Sequence, residues 1–200
     1  MNQETRIFEQ EQERKILDSG NRREFASGAV RDIAEGKGRC DLLPLTTVAT
    51  YLRSFAGSRE SQIRNGEVAD ILTMIDLFQR EGYESAIYQA ITKFINLKGY
   101  DSVTTALLEV SKHYEEGAKK YEERNWEKGI PCHCYVDSGV RHLLKWLDNW
   151  DDEPHDRAFL WNMLGLLWTA NNHPELIDLP FAYRKSETNM EEDPNMDNEY

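Results

Sequence analysis

The sequence predicts an all-α protein, and two observations lead to this fold class. Apolar residues recur at helical spacing in successive segments that end at glycine or begin after proline, while no segment shows the period-two alternation of a β-strand. The chain has 200 residues, 40% of them hydrophobic, which is enough to bury a sizeable core without disulfides. We therefore expect a helical bundle in a single domain.

Composition divides the chain into a domain and two tails. Residues 1–26 are polar and charged, and we expect an adaptable arm or a short helix there. A single helical domain is predicted over residues 27–182. From 183 to 200 the chain is acidic and poor in apolar residues, which is typical of a disordered tail.

Three helices are predicted in the first half of the domain. The first follows Pro44 over residues 45–56, and two amphipathic helices follow over residues 67–81 and 84–97. Each of the last two is followed by a glycine, which commonly ends a helix.

The helix predicted from residue 101 to about 124 carries acids beside an apolar face. Its apolar stripe is formed by Leu107, Val110, Tyr114, Ala118 and Tyr121. The residues expected on the opposite, solvated face are Glu109, His113, Glu116 and Lys120. Glu115 differs because it lies at the edge of the stripe, where a carboxylate can point into a cleft.

Two more helices bring further acids next to apolar faces. The first covers residues 136–148, and Asp137 near its start either stabilises the helix N-terminus or has a functional role. The second begins at Pro154 and is apolar nearly all round, which predicts burial on most sides. On this helix, Asp156 is either paired with a nearby arginine or bound to a cation.

Four strings of residues together resemble a known family. They are SGAVRDIAEGKGRCDLLP (27–44), HYEEGAKKYEERNWEKGIP (113–131), DSGVRHLLKWL (137–147) and HDRAFLWN (155–162). In this order they are similar to the phage-type dATP/dGTP diphosphohydrolases, which are relatives of the all-α, MazG-like nucleotide pyrophosphohydrolases. Residues 57–101 separate the first string from the second, where shorter relatives run directly on, and we interpret them as a helical insertion.

The resemblance implies a helical enzyme that releases pyrophosphate from a purine (deoxy)nucleoside triphosphate and leaves the monophosphate. It also implies Mg²⁺ or Mn²⁺ held by carboxylates on neighbouring helices, since these ions neutralise a polyphosphate and activate water. The acids carried over as catalytic metal ligands are Glu115, Asp137 and Asp156. Glu116 is a further metal candidate, and Glu153 is held in reserve.

Basic and aromatic residues are candidates for nucleotide contacts. Lys37 and Arg39, in the string GKGR, lie among flexible glycines and either approach phosphate or form a solvated turn. The candidates from later in the chain are Lys120, Tyr121, Arg124, Asn125, Trp126, Arg141 and Asn162. Trp126 either stacks on the base or anchors a loop. His142 and His155 are either partners of metal ligands or structural histidines.

Charge and hydropathy exclude several classes of partner. The net charge of −12 disfavours a nucleic-acid surface but allows a single nucleotide held by local cations and metal. No apolar run is long enough to span a membrane, and the N-terminal residues lack a signal-peptide core, so we expect a cytoplasmic protein. Cys40, Cys132 and Cys134 are expected to be reduced thiols rather than zinc ligands.

Two expectations concern assembly and function. We expect a homo-oligomer, at least a dimer, because the last helix is apolar on nearly all sides and MazG-like relatives are typically oligomeric. The leading function is a metal-dependent pyrophosphohydrolase, and the alternative is a non-catalytic nucleotide-binding or partner-binding protein on the same scaffold. The alternative is kept because the E-x-x-E and E-x-x-D pairs of MazG-like relatives are not present in that form, with Lys112 and Phe159 at two of the positions.

Overall fold

The structure is a computed structural model that describes residues 15–184. Within this range, six α-helices follow a two-stranded hairpin, which confirms the predicted all-α class. The strands are β1 (Arg22–Glu24) and β2 (Val30–Asp32). The helices are α1 (Leu45–Ser54), α2 (Arg59–Glu81), α3 (Glu84–Lys98), α4 (Val103–Lys120), α5 (Cys132–Leu147) and α6 (His155–Asn172). The predicted disordered tail lies outside the described residues except for Tyr183 and Arg184.

Local signals explain where several helices begin and end. The hydroxyl of Ser58, directly before α2, accepts the backbone N–H of Ser61 at 3.2 Å and so caps the helix. Gly82 and Gly99 end α2 and α3 in the left-handed region, with φ of 72° and 82°. These two ends were predicted, whereas α2 begins earlier than the predicted start at residue 67.

α5 and α6 begin next to prolines. α5 starts at Cys132, directly after Pro131, so the predicted start at residue 136 was wrong. Asp137 therefore lies in the second turn of α5 rather than at its N-terminus. α6 starts at His155, one residue after the predicted position.

The hairpin lies in a segment for which a polar arm or short helix was predicted, and at residues 22–24 that prediction was wrong. Arg23 pairs with Arg31 at the centre of its antiparallel register. Each strand has three residues, too few to show an alternating pattern. Tertiary contacts hold the hairpin, because the side chain of Asn125 bonds to both backbone groups of Val30.

α5 and α6 pack against each other at the centre of the fold. Gly139 of α5 faces Met163, and Gly165 of α6 faces the fully buried ring of Tyr135. A Cβ at Gly139 would lie 2.5 Å from the Met163 side chain, and a Cβ at Gly165 would lie 2.4 Å from the Tyr135 ring. The close approach of the two helices therefore requires glycine at Gly165, against the buried ring of Tyr135, whereas at Gly139 the flexible end of Met163 could shift.

The buried face of α4 differs from the predicted stripe. Leu107 is 48% exposed, whereas His113, expected on the solvated face, is 8% exposed. His113 packs against Trp161 of α6, with ring centroids 5.7 Å apart, and burial lowers its pKa to about 3. The prediction was wrong because α6 covers the side of α4 that carries His113.

α6 is buried along most of its length, as its composition predicts. α3, α4 and α5 pack against it within one chain, so the apolar surface of α6 does not by itself require a second subunit. The homo-oligomer stays a prediction. Among the residues described here, no helix has both the length and the apolar character needed to cross a membrane.

Candidate active site

Two carboxylates from different parts of the fold, Glu116 and Glu153, converge on the N-terminal segment. Glu116 lies on α4, and Glu153 precedes α6. Their Oε2 atoms accept the backbone N–H groups of two consecutive residues, Ile16 at 2.9 Å and Leu17 at 3.3 Å. Both side chains are largely buried, with exposed fractions of 22% and 12%. We call Glu116 and Glu153 the acid pair, and residues 15–18 the strap.

A group of cations adjoins the acid pair. Lys120, on α4, donates to the carbonyl oxygen of Leu17 and, at 2.8 Å, to Oδ2 of Asp32. The Lys120 side chain is 6% exposed, and the Nζ of Lys37 lies 3.8 Å from the same Asp32 oxygen. The backbone of Leu17 therefore connects Lys120 with Glu153 of the acid pair. We call Lys37, Lys120 and Arg141 the cationic cluster.

The GKGR string places Lys37 beside α5. Both glycines of the string are left-handed, with φ of 76° and 77°, a conformation that favours glycine. The carbonyl of Lys37 accepts Nε of Arg141 at 3.2 Å, and burial lowers the pKa of the Lys37 ammonium. Arg39, by contrast, is half exposed and pairs with Asp41. Only the first cation of the string contacts other predicted site residues.

Asp137 anchors this loop to α5. One carboxylate oxygen forms an ion pair with Arg141, one turn later, and the other accepts the backbone N–H of Cys40 at 2.7 Å. Asp137 is 3% exposed. Because both oxygens already have partners within the chain, the structure supports an anchoring role, and the role of metal ligand stays a prediction.

The other two acids carried over from the resemblance have separate local partners. Glu115 is exposed, and its hydrogen bond with Lys119 lowers the pKa of its carboxyl. Asp156 accepts the hydroxyl of Tyr100 at 3.0 Å and the backbone N–H of Arg157 at 2.9 Å. Within residues 15–184, the three predicted catalytic acids do not form a group whose oxygens could share one ion.

Two residues predicted to contact the nucleotide are engaged within the fold. The side-chain oxygen of Asn125 accepts the N–H of Val30 at 2.8 Å, and its amide donates to the Val30 carbonyl at 2.9 Å. Trp126 packs edge-on against Tyr114 and Trp168, with ring centroids 5.5 Å and 4.8 Å away. These contacts favour the loop-anchor interpretation of Trp126 over base stacking.

The remaining nucleotide candidates differ in their distance from the acid pair. The Tyr121 hydroxyl donates to Asp32 at 3.1 Å, beside the two lysines. Arg124 is exposed and pairs with Glu127. Asn162 is buried, where it accepts a guanidinium N–H of Arg31 at 3.2 Å. Of these three residues, Tyr121 is therefore the one that contacts Asp32, the shared counterion of Lys37 and Lys120.

His142 and His155 meet beside the acid pair. Their Nδ1 atoms lie 3.0 Å apart, and these atoms lie 3.6 and 3.8 Å from Oε1 of Glu153. The sequence marked the two histidines only as single candidates, because the turn from α5 into α6 decides whether they meet. The string DEPH at residues 152–155 was the signal that could have indicated a ligand group.

The cysteines next to His133 have no metal-ligand arrangement. Burial raises the pKa of the Cys132 thiol to about 12, and Cys134 accepts a hydrogen bond from Arg23 at 3.4 Å. His133 itself pairs with Asp178. In the described part of the chain all three cysteines are free and none belongs to a candidate metal group. The expectation of reduced thiols rather than zinc ligands stays a prediction.

A comparison with protein families finds a match for part of the chain. Residues 93–179 match the family model described as "dATP/dGTP diphosphohydrolase, N-terminal". This segment is therefore similar to the N-terminal part of the dATP/dGTP diphosphohydrolases. The predicted resemblance is thereby confirmed over these residues, whereas the relation to MazG-like enzymes stays a prediction. No curated protein and no solved structure matches the chain.

The matched segment runs from α3 to beyond α6 and covers less than half of the 200 residues. It contains the acid pair, both histidines of the neighbouring group and Lys120. The GKGR string lies before it. The hairpin and the strap therefore complete the site from outside the matched segment.

Proposed function

We propose that this protein hydrolyses purine (deoxy)nucleoside triphosphates, dGTP or dATP, to the monophosphate and pyrophosphate, and that the reaction depends on Mg²⁺ or Mn²⁺. The observation that carries the proposal is the convergence on the strap of the acid pair and Lys120, three residues that lie inside the matched family segment. Such a site offers oxygen ligands for a divalent ion and positive charge for a triphosphate in one place.

The acid pair fits a divalent ion better than the three acids carried over from the resemblance. Carboxylate oxygens are the ligands that Mg²⁺ and Mn²⁺ prefer, and Glu116 and Glu153 bring them from two elements. Their Oε2 atoms accept backbone amides of the strap, and Oε1 of Glu116 forms an ion pair with Arg157 at 3.5 Å. Both oxygens of Asp137 are engaged more closely, by Arg141 and by the backbone of Cys40. A bound ion would neutralise phosphate charge and lower the pKa of a water molecule.

The cationic cluster supplies further charge for the phosphates. Lys37 and Lys120 share Asp32 as a counterion, which keeps both ammonium groups beside the strap. If phosphate oxygens replaced Asp32, both ammonium groups would still have an anionic partner. Binding would therefore avoid the cost of an unpaired buried charge. Arg141 holds the Lys37 loop through its carbonyl and presents a guanidinium on the same side.

Pyrophosphate release from a panel of deoxynucleoside triphosphates tests the proposal. Glu116→Gln and Glu153→Gln remove one charge each but keep the size of the side chain, and Glu123→Gln is a control at an exposed acid. We expect kcat/KM to fall in the first two variants by more than the roughly 10–100-fold cost of losing a partner of a metal ligand. Full activity in EDTA, or in both variants, would contradict the proposal.

The metal-ligand roles of Glu115, Asp137 and Asp156 are proposals that the same assay tests. An alanine variant that raises the Mg²⁺ requirement at an unchanged melting temperature identifies a ligand. A loss of activity that follows a loss of stability identifies an anchor, which is our expectation for Asp137 because it holds the Cys40 backbone. Nucleotide binding without turnover in any metal would favour the non-catalytic binding protein.

A further inference from the structure

We propose a second metal site, formed by His142, Glu153 and His155, that binds a divalent transition ion of the zinc class rather than Mg²⁺. The two Nδ1 atoms lie 3.0 Å apart, and Oε1 of Glu153 lies 3.6 and 3.8 Å from them. The site goes beyond the proposed function, because an ion can bind here whether or not the acid pair supports hydrolysis.

Of the three distances, one lies within the spacing expected for ligands around one ion, and the other two lie slightly above it. Zinc bonds to nitrogen are about 2.0–2.1 Å long, so neighbouring ligand atoms at tetrahedral or octahedral angles lie about 3.0–3.5 Å apart. The contacts of Glu153 Oε1 with His142 and His155, at 3.6 and 3.8 Å, are too long for hydrogen bonds. The carboxylate therefore faces the imidazoles without bonding to them directly, at a spacing that an ion can bridge with small shifts.

Asp152 orients His155 in the way that metal-bound imidazoles are usually oriented. Its Oδ1 lies 2.7 Å from Nε2 of His155. A carboxylate that receives this N–H leaves the lone pair of Nδ1 facing the other two ligand atoms.

The site can be reached by an ion. Glu153 and His155 also line a cavity of about 150 Å³, which gives an ion and its water molecules a path to the site.

The donor set indicates the class of ion. Two imidazoles and one glutamate are the ligands of one type of catalytic zinc site, in which water takes the fourth position. Imidazole favours Zn²⁺ and neighbouring transition ions, whereas Mg²⁺ prefers oxygen ligands alone. Glu153 uses Oε1 here and Oε2 in the acid pair, so the two sites share one carboxylate.

Titration of the full chain with Co²⁺, after treatment with a chelator, tests the site through visible absorption. We expect one equivalent to bind with nitrogen and oxygen ligands, to be displaced by Zn²⁺ and to be unaffected by Mg²⁺. Asp152→Asn should weaken Co²⁺ binding by about 10–100-fold. His142→Gln and His155→Gln should weaken it further. His133→Gln, which changes a histidine beside the cysteines, should leave the titration unchanged.

Several results would overturn the site. They are a thiolate-to-cobalt charge-transfer band, a spectrum retained in His142→Gln and His155→Gln, or an absence of stoichiometric binding. In the last case the two imidazoles form only a hydrogen bond. Circular dichroism of each variant identifies any that fail to fold, and Asp152→Asn, a change at a partly exposed residue, then decides. Hydrolysis without Co²⁺ binding would reject this site alone, and Co²⁺ binding without hydrolysis would reject the proposed function alone.

Discussion

Glu116 and Glu153 hold adjacent backbone amides, those of Ile16 and Leu17, through their Oε2 atoms. The strap therefore uses the same oxygens that the proposed Mg²⁺ or Mn²⁺ site needs. A divalent ion and the strap amides compete for the acid pair. The strength of these two hydrogen bonds accordingly sets part of the metal requirement.

Leu17→Pro tests this competition because proline removes the N–H that Glu153 accepts at 3.3 Å. A hydrogen bond contributes about 0.5–1.5 kcal/mol net, so we expect the Mg²⁺ concentration for half-maximal activity to fall about 2–10-fold. Leu17→Ala keeps the N–H and changes only an exposed side chain, so it is the matched control. An unchanged Mg²⁺ requirement in Leu17→Pro would show that the strap does not compete.

The GKGR string is tested by replacing both of its cations. Lys37→Ala together with Arg39→Ala should lower kcat/KM by about tenfold or more, because charge-assisted contacts with phosphate are lost. The melting temperature should change little, since partly exposed ion pairs contribute little to folding. Lys37→Ala alone should account for most of the effect, because Lys37 shares Asp32 with Lys120. Normal kinetics in the double variant would confine the site to the helices after residue 101.

Asn125 is expected to act on stability rather than on base selection. Asn125→Ala would leave the N–H and the carbonyl of Val30 without their partner, at a cost of about 1–3 kcal/mol. We therefore expect a lower melting temperature and an unchanged ratio of kcat/KM for dGTP and dATP. A changed ratio at an unchanged melting temperature would instead support the nucleotide contact predicted from the sequence.

His133 should make stability depend on pH. Its hydrogen bonds with Asp178 and then with Cys134 raise the pKa of the imidazole from 6.5 to about 10. Because the pKa is higher in the folded state, this stabilisation is complete below about pH 6.5 and disappears as the pH rises towards 10. Asp178 stays ionised in this window, since its own pKa is lowered.

The comparison of His133→Gln with the wild type measures this contribution. The variant should have a lower melting temperature at pH 6.5, and the difference should shrink at each step towards pH 10. Thermal unfolding followed by circular dichroism gives both values. A difference that stays constant across the range would mean that the charge of His133 does not contribute.

The sequence predicted those parts of the fold that short-range signals determine. Glycines end α2 and α3 because a left-handed residue stops a helix, and Pro154 marks the start of α6 within one residue. The buried face of α4 was not predictable in this way. Helical periodicity assigns a polar residue such as His113 to the solvated face of its helix. His113 is buried instead, because Trp161 of another helix packs against it. The hairpin likewise depends on Asn125, which is distant in sequence.

The candidate site was predicted by residue type more closely than by position. Carboxylates on α4 and near the start of α6 were expected, but the structure brings Glu116 and Glu153 together instead of Glu115 and Asp156. Successive residues on a helix differ by about 100° in direction, so a small error in the assigned face selects the wrong acid. The meeting of His142 and His155 depends on how α5 turns into α6, which periodicity does not describe.

The products formed from dGTP test the central claim most directly. Phosphorus NMR of a reaction with the full chain and Mg²⁺ should show dGMP and pyrophosphate in equal amounts. Neither product should form in EDTA or in the Glu116→Gln/Glu153→Gln double variant. The appearance of dGDP with orthophosphate, or no turnover of dGTP and dATP with either Mg²⁺ or Mn²⁺, would contradict the account.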